Sequence, residues 1–443
     1  MRKKLLAILM MMGIMAGGIA EALPVSAAMR EEASQDVSMV EMEGMANSEY
    51  VELGGTEQGM TGGSSVWVNP LYPEAAKEAY QEPSSSQSPQ AVDATGVNAY
   101  STAASAANYV RKQMVSRRSA IEFYYNGYGL NAVSLRNLQD EILDKVYAVT
   151  SSPQEGDYLR YHLTYIRQKY MYTRSGTQAY VVWEVRYTSD AKQEKLMASR
   201  IKSVVRSLKL SGCSEAEKIK KIHDYICKNV EYYNDGTWNC HSAYAALKQK
   251  AAVCQGYAAL FYALGIQAGL KVRCVSGTSN GQPHLWNIVR MGGSWYNLDT
   301  TWDDQNSRII YTYYLKSNGN FPSHTRDAEF QSASFNRKYP MSRNSYTGKV
   351  GTLSIKRVKS AGSGKVKITW GKVNTACGYQ IYYASGKSRN YQRLGTVKGG
   401  AKTAYTATGL KPGKVYYFKV RAYSNLFGET YGKYSAGVKK TVK

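Results

Sequence analysis

Past its first 28 residues the chain has no apolar run long enough to cross a bilayer, so no transmembrane body is expected. It has no lipid-attachment cysteine after the leading apolar run and shows no sorting signal at its C-terminal end. No zinc spacing is present: the C-H pair at 240–241 has no C-x-x-C or H-x-x-x-H companion. No nucleic-acid motif accompanies the net charge of +24. Acidic residues are scarce, 33 against 57 basic ones, and unevenly placed. Residues 31–100 hold twelve carboxylates and a single base, Lys77, whereas beyond residue 100 there are 52 bases and 20 carboxylates. Such a field attracts anionic partners. For an exported chain, anionic cell-wall polymer is expected before nucleic acid, and a solvated basic surface without a specific partner is the plain alternative.

Export is expected because M-R-K-K, an apolar run and V-S-A-A read as a signal peptide over residues 1–28. The mature protein should be secreted, or held at the cell surface by non-covalent contacts. Residues 29–98, rich in Glu, Ser, Gln and Gly, offer little to bury and read as a disordered acidic spacer. Residues 99–210 read as an α/β extension. Its expected elements are a helix over 99–117, a strand at 120–125, and a helix over 134–147 capped by Ser134. Alternation predicts antiparallel strands at 158–166 and 179–187. A further domain spans 211–345, opening on the capping box Ser214-Glu215-Ala216-Glu217 with Ile219, Ile222, Ile226 and Val230 on one helical face. His223 and Asp224 fall inside that helix, point in different directions and are expected to be structural. Residues 350–443 switch to short alternating strands broken by Gly and Pro.

A-V-C-Q-G-Y-A-A-L-F puts Cys254 at the start of a long apolar helix, where the peptide dipoles favour thiolate over thiol. H-L-W-N-I-V and N-L-D-T-T-W follow on strands. Cys254, His284 and Asp299 are thus a nucleophile, a base and an orienter in chain order. With Cys254 set aside as catalytic, an odd number of the six cysteines remains, and Cys377 stands alone in the last domain. At most two disulfides could then form, and Cys213, Cys227 and Cys274 read as small hydrophobes.

Gly292-Gly293 is a two-residue hairpin signal that sets Met291 opposite Ser294. That register places Asp299 opposite Trp286 and His284 opposite Thr301. The two site residues become diagonal neighbours roughly 7–8 Å apart on one face of a half-buried hairpin, with Leu285, Val289, Tyr296 and Leu298 on the other. The backbone N–H groups of Cys254 and Gln255 are the expected oxyanion donors. Tyr244 and Trp286 complete the oxyanion and substrate-binding set.

On C-Q-G-Y-A, H-L-W-N and W-Y-N-L-D-T-T-W-D-D, residues 210–320 resemble the transglutaminase-like superfamily, papain-like in its thiol chemistry, and the segment before Cys254 looks like exported bacterial members. G-L-K-P-G-K-V-Y-Y, which sets Tyr416 in a tyrosine corner, and the anchor Trp370 make residues 350–443 resemble a fibronectin type III domain. The resemblances imply an α+β papain-like core, its nucleophile helix packed on an antiparallel sheet, followed by an all-β immunoglobulin-like sandwich. They imply a thiol enzyme acting on amide bonds of proteins or cell-wall peptides, as peptidase, amidase or cross-linking enzyme. Nothing resembles the calcium apparatus of animal cross-linking enzymes, so no metal and no cofactor is expected. Asp303 and Asp304 alone offer too few ligands. The competing expectation is an inactive surface or wall-binding protein that uses its basic charge and its sandwich module.

Overall fold

The structure, a computed structural model, describes residues 50–51, 60–81, 96–305, 308–386 and 390–443. The expected signal peptide over 1–28 lies outside them, as does much of the expected spacer over 29–98.

Seven elements build the first layer: β1 (Met60–Val68), α1 (Ala75–Tyr80), α2 (Ala103–Val115), β2 (Ala120–Asn126), α3 (Ala132–Val146), β3 (Leu163–Thr173) and β4 (Gln178–Tyr187). The sheet order is β1-β3-β4-β2, with two-residue strands Tyr50–Val51 and Ala99–Tyr100 at its edges. Helices α2 and α3 bury Ala106, Val110, Leu135 and Ile142 with Phe123 and Trp183 of the sheet.

Three expectations are corrected here. The spacer is structured at 60–81: β1 pairs with β3 from Met60↔Thr173 to Val68↔Tyr165, and Leu71, Tyr72 and Ala75 join the largest core. Strand pairing satisfies backbone groups whatever the side chains, so a polar composition did not exclude it. Helix α3 begins at Ala132, capped by Asn131. Ser134 is its reciprocal partner three residues in, accepting from the Asn131 N–H at 2.8 Å. Residues 158–166 are not all strand: Asp157–Tyr161 is a short helix after Gly156, whose φ of 65° turns the chain. Tyr158 and Leu159 are both fully buried although adjacent, which a strand with one wet face does not permit.

The second layer holds α4 (Ala191–Ser207), α5 (Glu215–Asn229), α6 (Cys254–Gln267), β5 (Val272–Ser279), β6 (Gln282–Met291), β7 (Ser294–Leu298) and β8 (His324–Arg326). Its antiparallel sheet runs β7-β6-β5-β8. The capping box on α5 forms, with Ser214 and Glu217 exchanging bonds. Gly292 and Gly293 take φ of 62° and 100°, and Met291 faces Ser294, the expected register. The hairpin is not half-buried, however. Leu285 and Val289 pack with α6, and Trp286, Ile288 and Trp295 pack into an aromatic cluster on the opposite face.

The last domain is a sandwich of β9 (Ile355–Ser360), β10 (Val366–Trp370), β11 (Gly378–Ser385), β12 (Gln392–Lys398), β13 (Ala404–Ala407) and β14 (Val415–Ser424). Sheets β9-β10-β13 and β12-β11-β14 enclose Trp370, Tyr379, Phe418 and Val420. The Lys411 N–H donates to the Tyr416 hydroxyl at 3.1 Å, closing the tyrosine corner. The sandwich abuts the start of α5, where the Gly400 N–H donates to Glu217 Oε2 at 3.1 Å. All six cysteines are buried free thiols.

Candidate active site

Helix α6 starts at Cys254, with Val253 extended at the cap position and no capping side chain. An α-helix leaves its first N–H groups without intrahelical partners, and those of Cys254 and Gln255 find no acceptor among the described residues. Gly256 lets this helix start seat itself. A Cβ there would meet the Ala252 Cβ at 2.6 Å and the Ser242 carbonyl at 2.8 Å. The Cys254 thiol donates to Gln255 Oε1 at 3.1 Å.

His284 lies on β6, paired with Gly277 of β5. Its Nε2 is 2.7 Å from Asp299 Oδ2. The sequence reading placed Asp299 on a strand with Thr301 opposite His284; that geometry is corrected. Strand β7 stops at Leu298, and Asp299 caps the one-turn helix Thr300–Asp303. Its Oδ1 accepts from the N–H groups of Thr301 at 2.8 Å and Trp302 at 3.2 Å. Aspartate followed by two threonines favours a cap over strand continuation. The carboxylate still reaches the imidazole.

A second histidine shares that carboxylate. His324 Nε2 lies 3.0 Å from Asp299 Oδ2, and its Nδ1 lies 2.8 Å from the Pro322 carbonyl. Its ring is enclosed by Phe321 at 4.1 Å and Trp286 at 5.1 Å between centroids. The sequence reading missed His324 because β8 is three residues long and lies among loops. The one available signal was the scarcity of histidine, five in the chain.

The electrostatics follow from these contacts. Burial opposes charge on His284, but the charges of Asp299 and Cys254, with the hydrogen bond to Asp299, outweigh it and raise the ring to about 10. Burial also opposes ionisation of Asp299. The charge and hydrogen bond of His284, then those of His324, hold that carboxyl well below the usual range. Burial, then the nearby Cys254, pushes the hydroxyls of Tyr72 and Tyr232 up, so a residue of the expected spacer lies within the field of the thiol.

The other expected site residues are placed differently. Trp286 is buried and stacks on His284 at 6.0 Å, but its indole N–H turns to Asn297 Oδ1 at 3.3 Å and is not an oxyanion donor at Cys254. Tyr244 packs against the α6 core, with no hydrogen bond to Cys254 among the described residues. His223 does touch Asp224, Nδ1 to Oδ1 at 3.1 Å, against the directional expectation. Its Nε2 meets Asp303 Oδ2 at 3.1 Å, and the Tyr257 hydroxyl donates to Asp304 Oδ2 at 2.7 Å. The paired carboxylates therefore brace the turn that carries Asp299.

His284, Asp299 and His324 offer three donor atoms within 4.8 Å of one another, a set that could hold a metal ion. Both rings sit at hydrogen-bond distance from one oxygen, 2.7 and 3.0 Å. That is closer than the roughly 3.3 Å separating neighbouring ligands around a tetrahedral ion, so the trio as built is a hydrogen-bonded cluster.

Residues 202–300 match the transglutaminase-like superfamily and residues 348–438 the fibronectin type III domain. The chain carries both domains. Kyphoscoliosis peptidase of Mus musculus is 26% identical over 136 residues, covering 26% of this chain and 21% of that protein. A Kelch domain-containing protein of Saccharolobus solfataricus is 39% identical over 67 residues, 15% of this chain and 9% of that one. The chain thus spans about a fifth or less of the length of these curated relatives. Among solved structures, the chicken CNTN1 FN1–FN3 domains are 24% identical, covering 21% of this chain and 31% of that one at a TM-score of 0.19. An Fn3-like protein from Clostridium thermocellum is 24% identical, covering 21% and 92% at a TM-score of 0.17.

Proposed function

We propose that the chain is an exported cysteine-dependent acyl-transfer enzyme that cleaves amide bonds of proteins or cell-wall peptides through Cys254, His284 and Asp299. The observation that carries this reading is the 2.7 Å contact between His284 and Asp299 Oδ2, with Cys254 at the first position of α6 beside the same imidazole. The transglutaminase-like match supports cysteine-type acyl transfer in general. The similarity to a kyphoscoliosis peptidase supports the peptidase branch of that chemistry.

The Cys254 thiolate adds to the substrate carbonyl, and the oxyanion that develops meets the open N–H groups of Cys254 and Gln255. The His284 imidazolium donates its proton to the departing amine as the C–N bond breaks. Asp299 holds the ring and stabilises its cation throughout. Water then attacks the thioester while His284 takes up the proton, and the carboxylic acid leaves. An amine acceptor would take the same path to a new amide. Hydrolysis is favoured because, among the described residues, no carboxylate lines the cleft on this face to gather an amine acceptor.

The test is the pH dependence of iodoacetamide alkylation at Cys254 in mature protein and in His284→Ala. Fast labelling below pH 7 that disappears in the variant supports the enzyme. Slow labelling that rises near the ordinary thiol range of about 8.5 in both proteins overturns it and favours a wall-binding protein.

A further inference from the structure

Arg326, Gly277 and His284 form one row across β8, β5 and β6. Directly paired residues of neighbouring strands point to the same face, and two strand spacings put Arg326 about 10 Å from His284 between Cα atoms. His324, two residues before Arg326, points to that face as well. There the structure opens a cleft of about 300 Å³ bordered by Trp286, Phe321, His324, Arg326, Gln331 and Asn336.

The Arg326 side chain is fixed from below. Its Nη2 donates to Asn297 Oδ1 at 2.7 Å and Asn318 Oδ1 at 3.0 Å. Its Nε and Nη1 have no acceptor among the described residues, and no carboxylate pairs with it there. Burial pulls the guanidinium down to about 10, which leaves it cationic at neutral pH. Burying a guanidinium without a partner is costly, and the arginines among the described residues find partners in different ways. Arg273 Nε meets Asp157 at 2.7 Å and Arg117 meets Glu194 at 3.2 Å, while half-buried Arg421 has no carboxylate there but directs both Nε and Nη2 to Gln380 Oε1. Arg326 keeps Nε and Nη1 unfilled where it borders an open cleft.

We propose that this cleft is a subsite for a carboxylate of the peptide substrate, bound by Arg326 on the face that carries His284 and Trp286. The inference rests on reading Cys254 and His284 as the acyl-transfer centre, and it narrows the substrate class to peptides with an anionic group close to the scissile amide. The carboxylate is either the chain terminus or a Glu or Asp side chain. Both offer oxygens that complete the unfilled hydrogen bonds of the guanidinium.

Calorimetric titration of the full chain carrying Cys254→Ala tests it without turnover. One probe pair is N-acetyl-Ala-Ala-Ala as free acid and as terminal amide. The second is the amidated tripeptide N-acetyl-Ala-Glu-Ala against N-acetyl-Ala-Gln-Ala. The acidic member of one pair is expected to bind about tenfold or more tightly than its neutral twin, and which pair responds identifies the source of the carboxylate. Arg326→Gln should abolish the preference and Arg326→Lys retain part of it. A purely structural arginine would weaken acid and neutral peptides alike and leave the ratio unmoved. Equal binding within both pairs, absence of binding by all four peptides, or a preference that survives Arg326→Gln overturns the proposal. Because the titration needs no thiol, an inert Cys254 in the alkylation experiment would remove the enzymatic reading and leave this result standing.

Discussion

His324 hydrogen-bonds the oxygen of Asp299 that also receives His284, at 3.0 Å. With the N–H groups of Thr301 and Trp302 on its other oxygen, the buried carboxylate has four partners. A carboxylate so held has no freedom to turn away from His284, and under the proposed mechanism His324 acts through it as a positioning residue.

His324→Ala is therefore expected to lower kcat/KM by about tenfold, well short of the loss from His284→Ala, since three partners of Asp299 survive. The vacated hydrogen bond at a buried carboxylate should cost about 1–3 kcal/mol of stability. His324 helps hold the Asp299 carboxyl low, so the acid limb of the pH–rate profile should move to higher pH. An unmoved acid limb alongside lost stability would reduce His324 to packing.

Cys254→Ala should abolish acyl transfer and alkylation with its thermal midpoint kept within a few degrees, because the 2.7 Å contact between His284 and Asp299 survives the loss of the thiol. Asp299→Asn should cost less activity than His284→Ala, because the base remains. It should cost more stability, because an amide cannot accept from both histidines and both backbone N–H groups. Rates and melting curves on the same three proteins decide both orderings.

The ion pair also sets a window in the pH dependence of stability. His284 is raised to about 10, so its contribution is complete below its unfolded value near 6.5 and is lost as pH rises through about 10. Asp299 is depressed, so its contribution is present above its unfolded value near 3.9 and is lost as pH falls below it. The midpoint difference between wild type and His284→Ala should be largest between about pH 4 and 6.5. A difference independent of pH from 3 to 10 would show that packing, not charge, accounts for it.

Tyr72→Ala should destabilise by about 3–5 kcal/mol, as expected for removing a fully buried ring. Its hydroxyl donates to the Tyr161 carbonyl at 2.8 Å, and its ring edge meets His241 at 5.1 Å. Alkylation of Cys254 should change too, since the ring borders the elements around the thiol. A melting midpoint unchanged by the substitution would return the segment to the role of a spacer.

Much of this was legible from local signals. The capping box before α5, the glycine pair between β6 and β7, and the alternation of the sandwich strands each act within a few residues, and each formed as read. The chain order of Cys254, His284 and Asp299 was legible as well, because a thiol at a helix start and a histidine on a strand are local facts. Errors arose where a short polar segment borrowed its structure from a distant partner. Residues 60–68 are a strand because β3 accepts them, and Tyr158 and Leu159 are helical because buried space exists on both their sides.

Sequence alone determined that a thiol stands at the head of an apolar helix, that a Gly-Gly turn brings a histidine strand back toward an aspartate, and that a separate β-sandwich follows. Periodicity, caps and turns are written in neighbouring residues, so no tertiary information was needed. Only the tertiary structure decided that Asp299 is a helix cap shared by two histidines, that Tyr72 lies near Cys254, and that Arg326 borders a cleft with no carboxylate partner among the described residues. These depend on groups up to 182 residues apart in the chain being brought together by packing, and no local pattern encodes which distant side chain will be the neighbour.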